Sequence, residues 1–182
     1  HSNELDHPSA REVMKFLGID NGLELHYDGD LPGRSGLGTS SAFTVGLLNA
    51  LYAYQGQKIS QHRLTTESIH IEQNLIGETV GSQDQTNVAY GGFNKIRFKQ
   101  NGEITVEPVT ISDERIRALD ENLMLFYTGI IRTAEKVAKS YVDHIETKEK
   151  QLTRLHAMVD RAVEIISNGQ LDDFGTLLNE AW

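Results

Sequence analysis

The chain has 182 residues, of which 38% are hydrophobic and 24% charged, a balance typical of globular proteins and unlike that of collagen, coiled coils or low-complexity chains. Its 17 Lys and Arg against 26 Asp and Glu give a net charge of −9, which argues against broad binding to nucleic acid or an anionic membrane. The absence of cysteine excludes disulfides, thiolate zinc sites and cysteine nucleophiles. No apolar run approaches the ~18 residues of a membrane span, so we expect a cytoplasmic protein.

The first half of the chain is predicted to contain three helices and one strand. Pro8 suits the first turn of a helix over 8–17. Residues 23–27 alternate apolar and polar side chains, which predicts a short strand. Between Gly38 and Gly56 the apolar residues recur at spacings of three and four, which predicts a helix with glycines at its N-terminus. Another helix is predicted over 61–76.

The second half begins with the strongest hairpin signal in the chain. Residues 93–111 hold two alternating stretches around Asn101-Gly102, a dipeptide that favours tight hairpin turns. A short helix follows, and the apolar run 123–127 is typical of a buried strand. From residue 133 the pattern is helical nearly to the end of the chain. The change near 132 is the one candidate domain boundary.

A glycine- and hydroxyl-rich stretch at 31–42, LPGRSGLGTSSA, leads into the second predicted helix. A helix N-terminus offers unpaired N–H groups and about half a unit of positive charge, so a glycine-rich loop before it can hold a phosphate closely. Gly36 and Gly38 would let the backbone approach such a ligand. The three hydroxyls of 39–41 could cap the helix, donate to phosphate oxygens or bind Mg²⁺.

This stretch departs from three known glycine motifs. The spacing from Gly33 to Gly38 is that of a P-loop, but Thr39 stands where the P-loop requires lysine. Leu37 occupies the place of the second glycine of a nucleophile elbow, and Ser41 that of the last glycine of the Rossmann pattern. A capped loop whose glycines only shape a turn therefore stays open as an alternative.

The same residues carry a resemblance to a known family. Residues 32–42 resemble the Pro-x-x-x-Gly-Leu-Gly-Ser-Ser-Ala motif of the GHMP small-molecule kinases, with Thr39 in place of the first Ser and Ser41 in place of the first Ala. The match extends through Glu72 and through Gly-Ser-Gln-Asp-Gln at 81–85.

Two further segments narrow the resemblance within the superfamily. Gly-Gly-Phe-Asn at 91–94 and Phe-Tyr-Thr-Gly at 126–129 are most similar to the D-glycero-D-manno-heptose 7-phosphate kinase branch and its fucokinase relatives. The implied activity is ATP- and Mg²⁺-dependent phosphorylation of a hydroxyl of a sugar or sugar phosphate, best matched by D-glycero-D-manno-heptose 7-phosphate at C1. The alternatives are a kinase for fucose, galactose or mevalonate, and a non-catalytic module that binds sugar or nucleotide. The expected partners are ATP and the sugar, without nucleic acid or membrane, and a homodimer is compatible with the sequence.

The resemblance also implies a fold. It is an α/β (α+β) chain with a mixed sheet and flanking helices, like domain 2 of ribosomal protein S5. Residues 1–131 would form the nucleotide-binding N-terminal domain, incomplete at its N-terminus. Residues 132–182 would form the helical beginning of a ferredoxin-like C-terminal domain. We expect the chain to be an internal portion of a longer kinase that is inactive by itself.

The resemblance assigns roles residue by residue. The implied nucleotide-binding residues are Gly36, Leu37, Gly38, Thr39, Ser40 and Ser41. Thr39 and Glu72 would hold Mg²⁺, and Asp84 would be the catalytic base. The implied substrate-binding residues are Gly91, Gly92, Thr128 and Arg132. From the residues alone, Glu72 could instead be a solvated helix position, Asp84 a helix-start cap, and Arg132 a surface arginine.

Overall fold

The structure is a computed structural model that describes residues 5–20, 22–30, 36–129 and 145–182. The chain divides into two compact units. The first holds the described residues up to 91 together with 127–129, and the second holds 92–126 and 145–182. Within these ranges, no helix combines the length and the apolar character that crossing a membrane requires.

The first unit is helical throughout its regular structure. Its helices are α1 (Pro8–Phe16), α2 (Thr39–Tyr54), α3 (Gln61–His70) and α4 (Gln83–Tyr90). The predicted helices at 8–17 and after Gly38 are confirmed. Helix α4 was not predicted, because its sequence QDQTNVAY has few apolar residues to show a helical period.

The third predicted helix changes its winding partway along. Helix α3 begins after Ser60, whose hydroxyl accepts a hydrogen bond from the Arg63 N–H at 3.2 Å, an ordinary N-cap. It passes at Ile71–Ile76 into a π-helical turn. That turn ends at Gly77, whose φ of 80° is a left-handed conformation that glycine adopts without strain.

The core of the first unit lies between these helices. Val13 on α1, Leu48 on α2, Leu64 on α3 and Ile71 in the π-helical turn are all at most 7% exposed and belong to one apolar cluster. Helix α4 packs against both α2 and α3. The buried residues of α4 itself are the polar Gln85 and Thr86.

A polar network at the end of α2 joins that helix to α3. The Tyr52 hydroxyl donates to Glu67 Oε2 at 2.7 Å and accepts from Arg63 Nη2 at 2.8 Å. Arg63 also donates from Nε to Glu67 Oε1 at 2.7 Å. Burial of Tyr52 and its hydrogen bond to the Glu67 carboxylate both raise the pKa of the phenol, because both disfavour the phenolate.

The second unit combines a hairpin with three helices. Strands β1 (Asn94–Phe98) and β2 (Ile104–Pro108) pair antiparallel, with Ile96 opposite Val106. The predicted hairpin is thereby confirmed, and Gly102 in its connection has a φ of 84°. The helices are α5 (Asp113–Glu121), α6 (Glu149–Asn168) and α7 (Leu171–Ala181), and a 3₁₀ turn at Ile145–Lys148 precedes α6.

Two side chains connect the elements of the second unit. The Arg115 guanidinium on α5 donates to the carbonyl oxygens of Ile165, at 2.7 Å, and Ile166. These carbonyls belong to the last turn of α6, where helical donors run out; the Gly169 N–H also donates to the Ile165 carbonyl, at 2.9 Å. Lys95 on β1 pairs with Asp160 on α6 and lowers the pKa of that carboxyl through their hydrogen bond and opposite charges.

Two predicted strands are wrong. Residues 23–27 and 123–127 form no strand in the structure, although the alternation and the apolar run favoured one. Residues 123–127 are at least 50% exposed, so that run is not buried either. A strand needs a paired neighbour, and among the described residues only β1 and β2 form a sheet. The mixture of helix and sheet is as predicted, and the domain boundary at 131/132 lies outside the described residues.

The Tyr52 network predicts a pH dependence of stability. Because folding raises the pKa of Tyr52 above its usual value of about 10, the folded state keeps a proton that the unfolded chain loses first. The contribution of the protonated Tyr52 to the free energy of unfolding is complete below about pH 10. It is lost as the pH rises through the pKa of Tyr52 in the folded protein. In urea unfolding between pH 8 and 11, the free energy of unfolding should therefore fall less steeply with pH for Tyr52→Phe than for the wild type.

Tyr54→Phe is the matched control, because Tyr54 is 68% exposed near the same end of α2. We expect this variant to follow the wild-type curve. Equal slopes for Tyr52→Phe and the wild type would contradict the role given to the network.

Candidate functional site

In the part of the chain that the structure describes, the start of α2 has no side-chain cap. Its N-cap is Gly38, in the left-handed conformation with φ 72°, and no side chain accepts a hydrogen bond there. The first backbone bond of the helix runs from the Ala42 N–H to the Gly38 carbonyl at 2.9 Å. The N–H groups of 39–41 thus have no acceptor within the helix. This geometry disfavours the alternative of a loop capped by its own hydroxyls.

The six residues predicted to bind nucleotide differ in exposure. Gly36, with a φ of 82°, Leu37 and Ser40 are exposed, Gly38 and Thr39 are half-buried, and Ser41 is buried. Five of them are thus accessible at least in part, and Ser41 alone points into the protein.

Asp84 lies directly against this helix start. It is in the first turn of α4 and is exposed. A Cβ atom built on Gly38 would lie 3.2 Å from Asp84 Cγ and 3.4 Å from Oδ2. The structure therefore brings together two segments that are 46 positions apart in the sequence, namely the glycine loop and the predicted base.

Glu72 lies in the π-helical turn and is 1% exposed. Its Oε2 accepts a hydrogen bond from Ser41 Oγ at 2.9 Å and another from Gln85 Nε2. Both donors are neutral. The other oxygen, Oε1, is buried without a hydrogen-bond partner, and so is Oε1 of Gln85. The alternative of a solvated Glu72 is excluded.

These oxygens suit a magnesium ion. Mg²⁺ takes oxygen ligands, usually one or two carboxylates, and completes its shell with water and substrate phosphates. A buried carboxylate oxygen without a donor is a costly acceptor that a cation would satisfy. In the described part of the chain no group of three or more Asp, Glu and His residues is placed to hold a metal. An ion bound at Glu72 would therefore take its other ligands from hydroxyls, water and nucleotide.

The hydroxyl seen against Glu72 is that of Ser41. The sequence paired Glu72 with Thr39, the first residue of α2, and the role of Thr39 stays a prediction. Sequence reasoning also missed Gln85, which is fully buried. Adjacent helical residues point about 100° apart. Had α4 been predicted with Asp84 on its exposed side, this step would have indicated that Gln85 faces the interior.

The residues predicted to bind substrate are only partly described. Gly91 ends α4 with a φ of 63°, and Gly92, with a φ of 72°, belongs to the second unit. Thr128 is an exposed residue of the first unit. Arg132 lies outside the described residues. The substrate roles of these four residues stay predictions.

Residues 8–92 match the family described as GHMP kinases N terminal domain. This segment is a GHMP kinase N-terminal domain. It contains the glycine loop, Glu72 and Asp84, and the resemblance stated from the sequence is confirmed.

Several known proteins are similar to this chain. It is 30% identical to the D-glycero-alpha-D-manno-heptose 7-phosphate kinase of Campylobacter jejuni, over 94% of this chain and 51% of that protein. It is 27% identical to the bifunctional fucokinase/GDP-fucose pyrophosphorylase of Arabidopsis thaliana, over 88% of this chain and 16% of that protein. It is 24% identical to the galactokinase of Clostridium perfringens, over 93% of this chain and 52% of that protein.

A solved structure shares the fold of this chain. The crystal structure of a D-glycero-D-manno-heptose 1-phosphate kinase from Bacteroides thetaiotaomicron superposes with a TM-score of 0.76 at 22% identity, over 96% of this chain and 52% of that one. The chain thus spans about half the length of the heptose kinase and galactokinase relatives and of this structure.

Two features should require glycine at position 38: the left-handed backbone there and the close contact with Asp84. In Gly38→Ala the new Cβ meets Asp84 at 3.2 Å in a left-handed backbone, a strain of about 1–3 kcal/mol. The control is Gly46→Ala in the middle of α2, where nothing lies within 4 Å of the added atom and alanine should stabilise the helix by about 0.5–1 kcal/mol.

Urea unfolding measures both changes. We expect the free energy of unfolding to fall for Gly38→Ala and to rise for Gly46→Ala. Unchanged stability of Gly38→Ala would contradict the contact with Asp84.

Proposed function

We propose that this protein is a GHMP-type kinase that transfers the γ-phosphoryl group of ATP to a hydroxyl of a sugar or sugar phosphate, with Mg²⁺. One observation carries the proposal: the exposed Asp84 carboxylate lies against Gly38 at the open N-terminus of α2. A phosphate cradle and a candidate base are thereby adjacent. Phosphoryl transfer depends mainly on positioning and on stabilisation of charge.

The start of α2 would hold the phosphates of ATP. The N–H groups of 39–41 and the positive end of the helix dipole attract anions locally. This local attraction can act despite the overall charge of −9, because screening limits distant charges to about 10 Å or less at ordinary salt. The exposed Ser40 and half-buried Thr39 hydroxyls add donors beside Gly36, Leu37 and Gly38.

Asp84 would act as the general base. Its carboxylate accepts the proton of the acceptor hydroxyl while that oxygen forms a bond to the γ-phosphorus and the bond to the bridging oxygen of ADP breaks. The base must be accessible to the acceptor, and Asp84 is exposed. The requirement for closeness to the phosphates is met by its contact with the Gly38 position.

Glu72 would hold Mg²⁺ through its unpartnered Oε1, with Thr39 as the proposed hydroxyl ligand. The bound ion supplies neutralisation of phosphate charge. The residues already held against Glu72, Ser41 and Gln85, donate to its other oxygen, so this proposal uses an acceptor that the fold leaves open.

The acceptor we propose is D-glycero-D-manno-heptose 7-phosphate, phosphorylated at C1. The name of the Campylobacter jejuni relative supports this choice. The fucokinase and galactokinase relatives make fucose and galactose the substrates to compare. Gly91, Gly92, Thr128 and Arg132 are the proposed sugar-binding residues. An arginine can bind a sugar phosphate through two parallel hydrogen bonds.

Asp84→Asn tests the kinase proposal in the intact protein. Loss of a positioned base should lower the turnover rate by roughly 10²–10⁴-fold and leave nucleotide affinity almost unchanged. The control is Asp113→Asn, which changes an exposed aspartate in the first turn of α5 and should keep the wild-type rate.

The measurements are turnover with each of the three sugars and ATP affinity on the same purified variants. Near-wild-type turnover by Asp84→Asn would contradict its role as base. Binding without turnover by the wild-type protein would favour the alternative of a non-catalytic sugar- or nucleotide-binding module.

A further inference from the structure

We propose that Ser41 is a positioning residue that, together with Gln85, orients the Glu72 carboxylate so that Oε1 alone is presented to a divalent cation. This inference rests on the proposed function, in which Glu72 binds the ion. It adds a role for a buried side chain that does not itself touch the ligand.

The geometry comes from three separate elements. Ser41 is on α2, Glu72 in the π-helical turn and Gln85 on α4, and their exposed fractions are 6%, 1% and 0%. Ser41 Oγ and Gln85 Nε2 both donate to Oε2 of Glu72. Rotation of the carboxylate would break both hydrogen bonds, so the two donors fix which oxygen faces them.

A purely structural cluster would not leave this pattern. Buried polar groups normally have partners, yet Oε1 of Glu72 and Oε1 of Gln85 have none. The Thr65 and Ser68 hydroxyls are also buried without a partner, but they are neutral, whereas a carboxylate carries a charge that is far more costly to bury. The described contacts of Glu72 include no Lys, Arg or His. A cation is the group that would offset this charge.

Ser41 stands where the resembling motif has alanine. Its hydroxyl is buried and donates to Glu72 Oε2. The buried Thr44 on the same helix shows the ordinary arrangement instead, because its hydroxyl donates to the Ser40 carbonyl of its own helix at 3.3 Å. Thr44 therefore offers a matched control for loss of a buried hydroxyl from α2.

The experiment is calorimetric titration of Mn²⁺ into the intact protein saturated with a non-hydrolysable ATP analogue. Residues that orient metal ligands typically change metal affinity by about 10–100-fold when mutated. We expect Ser41→Ala to raise the Mn²⁺ dissociation constant by that factor and Thr44→Val to leave it within about twofold, with the analogue's metal-free affinity unchanged in both.

A double-mutant cycle separates positioning from general loss of stability. In the Glu72→Gln background, Ser41→Ala should cause no further change in Mn²⁺ affinity, because the two residues act through one carboxylate. If Ser41→Ala does not fold, Gln85→Met removes the other donor and should raise the dissociation constant in the same way.

The outcomes distinguish the two proposals. If the wild-type protein with bound analogue does not bind Mn²⁺, the proposed function is wrong and this inference falls with it. If the wild type binds Mn²⁺ but Ser41→Ala equals Thr44→Val, or Gln85→Met keeps the wild-type affinity, the positioning role alone is overturned.

Discussion

The buried carboxylate of Glu72 is the interaction on which the site depends. It lies between α2 and α4, and both helices donate to one of its oxygens. A charge in this position must be offset by donors or by a cation, because burial removes its hydration. The fold supplies two neutral donors and leaves the second oxygen without one. The same hydrogen bonds that join the two helices therefore leave one carboxylate oxygen without a donor close to the proposed phosphate cradle.

The contact between Gly38 and Asp84 follows from the same packing of α2 and α4. Helix α4 packs against α2 and α3, and the exposed Asp84 in its first turn lies close to the start of α2. A side chain at position 38 would occupy the space of the Asp84 carboxylate. The glycine thus meets two requirements at once, a left-handed backbone and room for a neighbouring acid. A loop shaped only for a turn would require the first of these alone.

Sequence patterns within a few adjacent residues predicted structure that forms locally. They failed where the structure depends on strand pairing or helix packing. Asn101-Gly102 was sufficient to predict the hairpin, because a tight turn is a property of a few adjacent residues. The patterns at 23–27 and 123–127 were insufficient, because a strand also needs a neighbour. Helix α4 had no clear periodic signal, and the periodicity at 61–76 did not distinguish the π-helical turn from an α-helix. Resemblance singled out Glu72 and Asp84, but the bond from Ser41 to Glu72 joins residues 31 positions apart and depends on how the helices pack.

The most direct test of the proposed cation and phosphate sites is anomalous scattering from Mn²⁺ in crystals of the intact protein grown with a non-hydrolysable ATP analogue. The account predicts an anomalous peak within about 2.2 Å of Oε1 of Glu72, the distance expected for an oxygen ligand of a small divalent ion. The phosphates should lie at the start of α2, beside Asp84. A bound analogue whose Mn²⁺ lies away from Glu72, or whose phosphates lie away from Gly38, would contradict it.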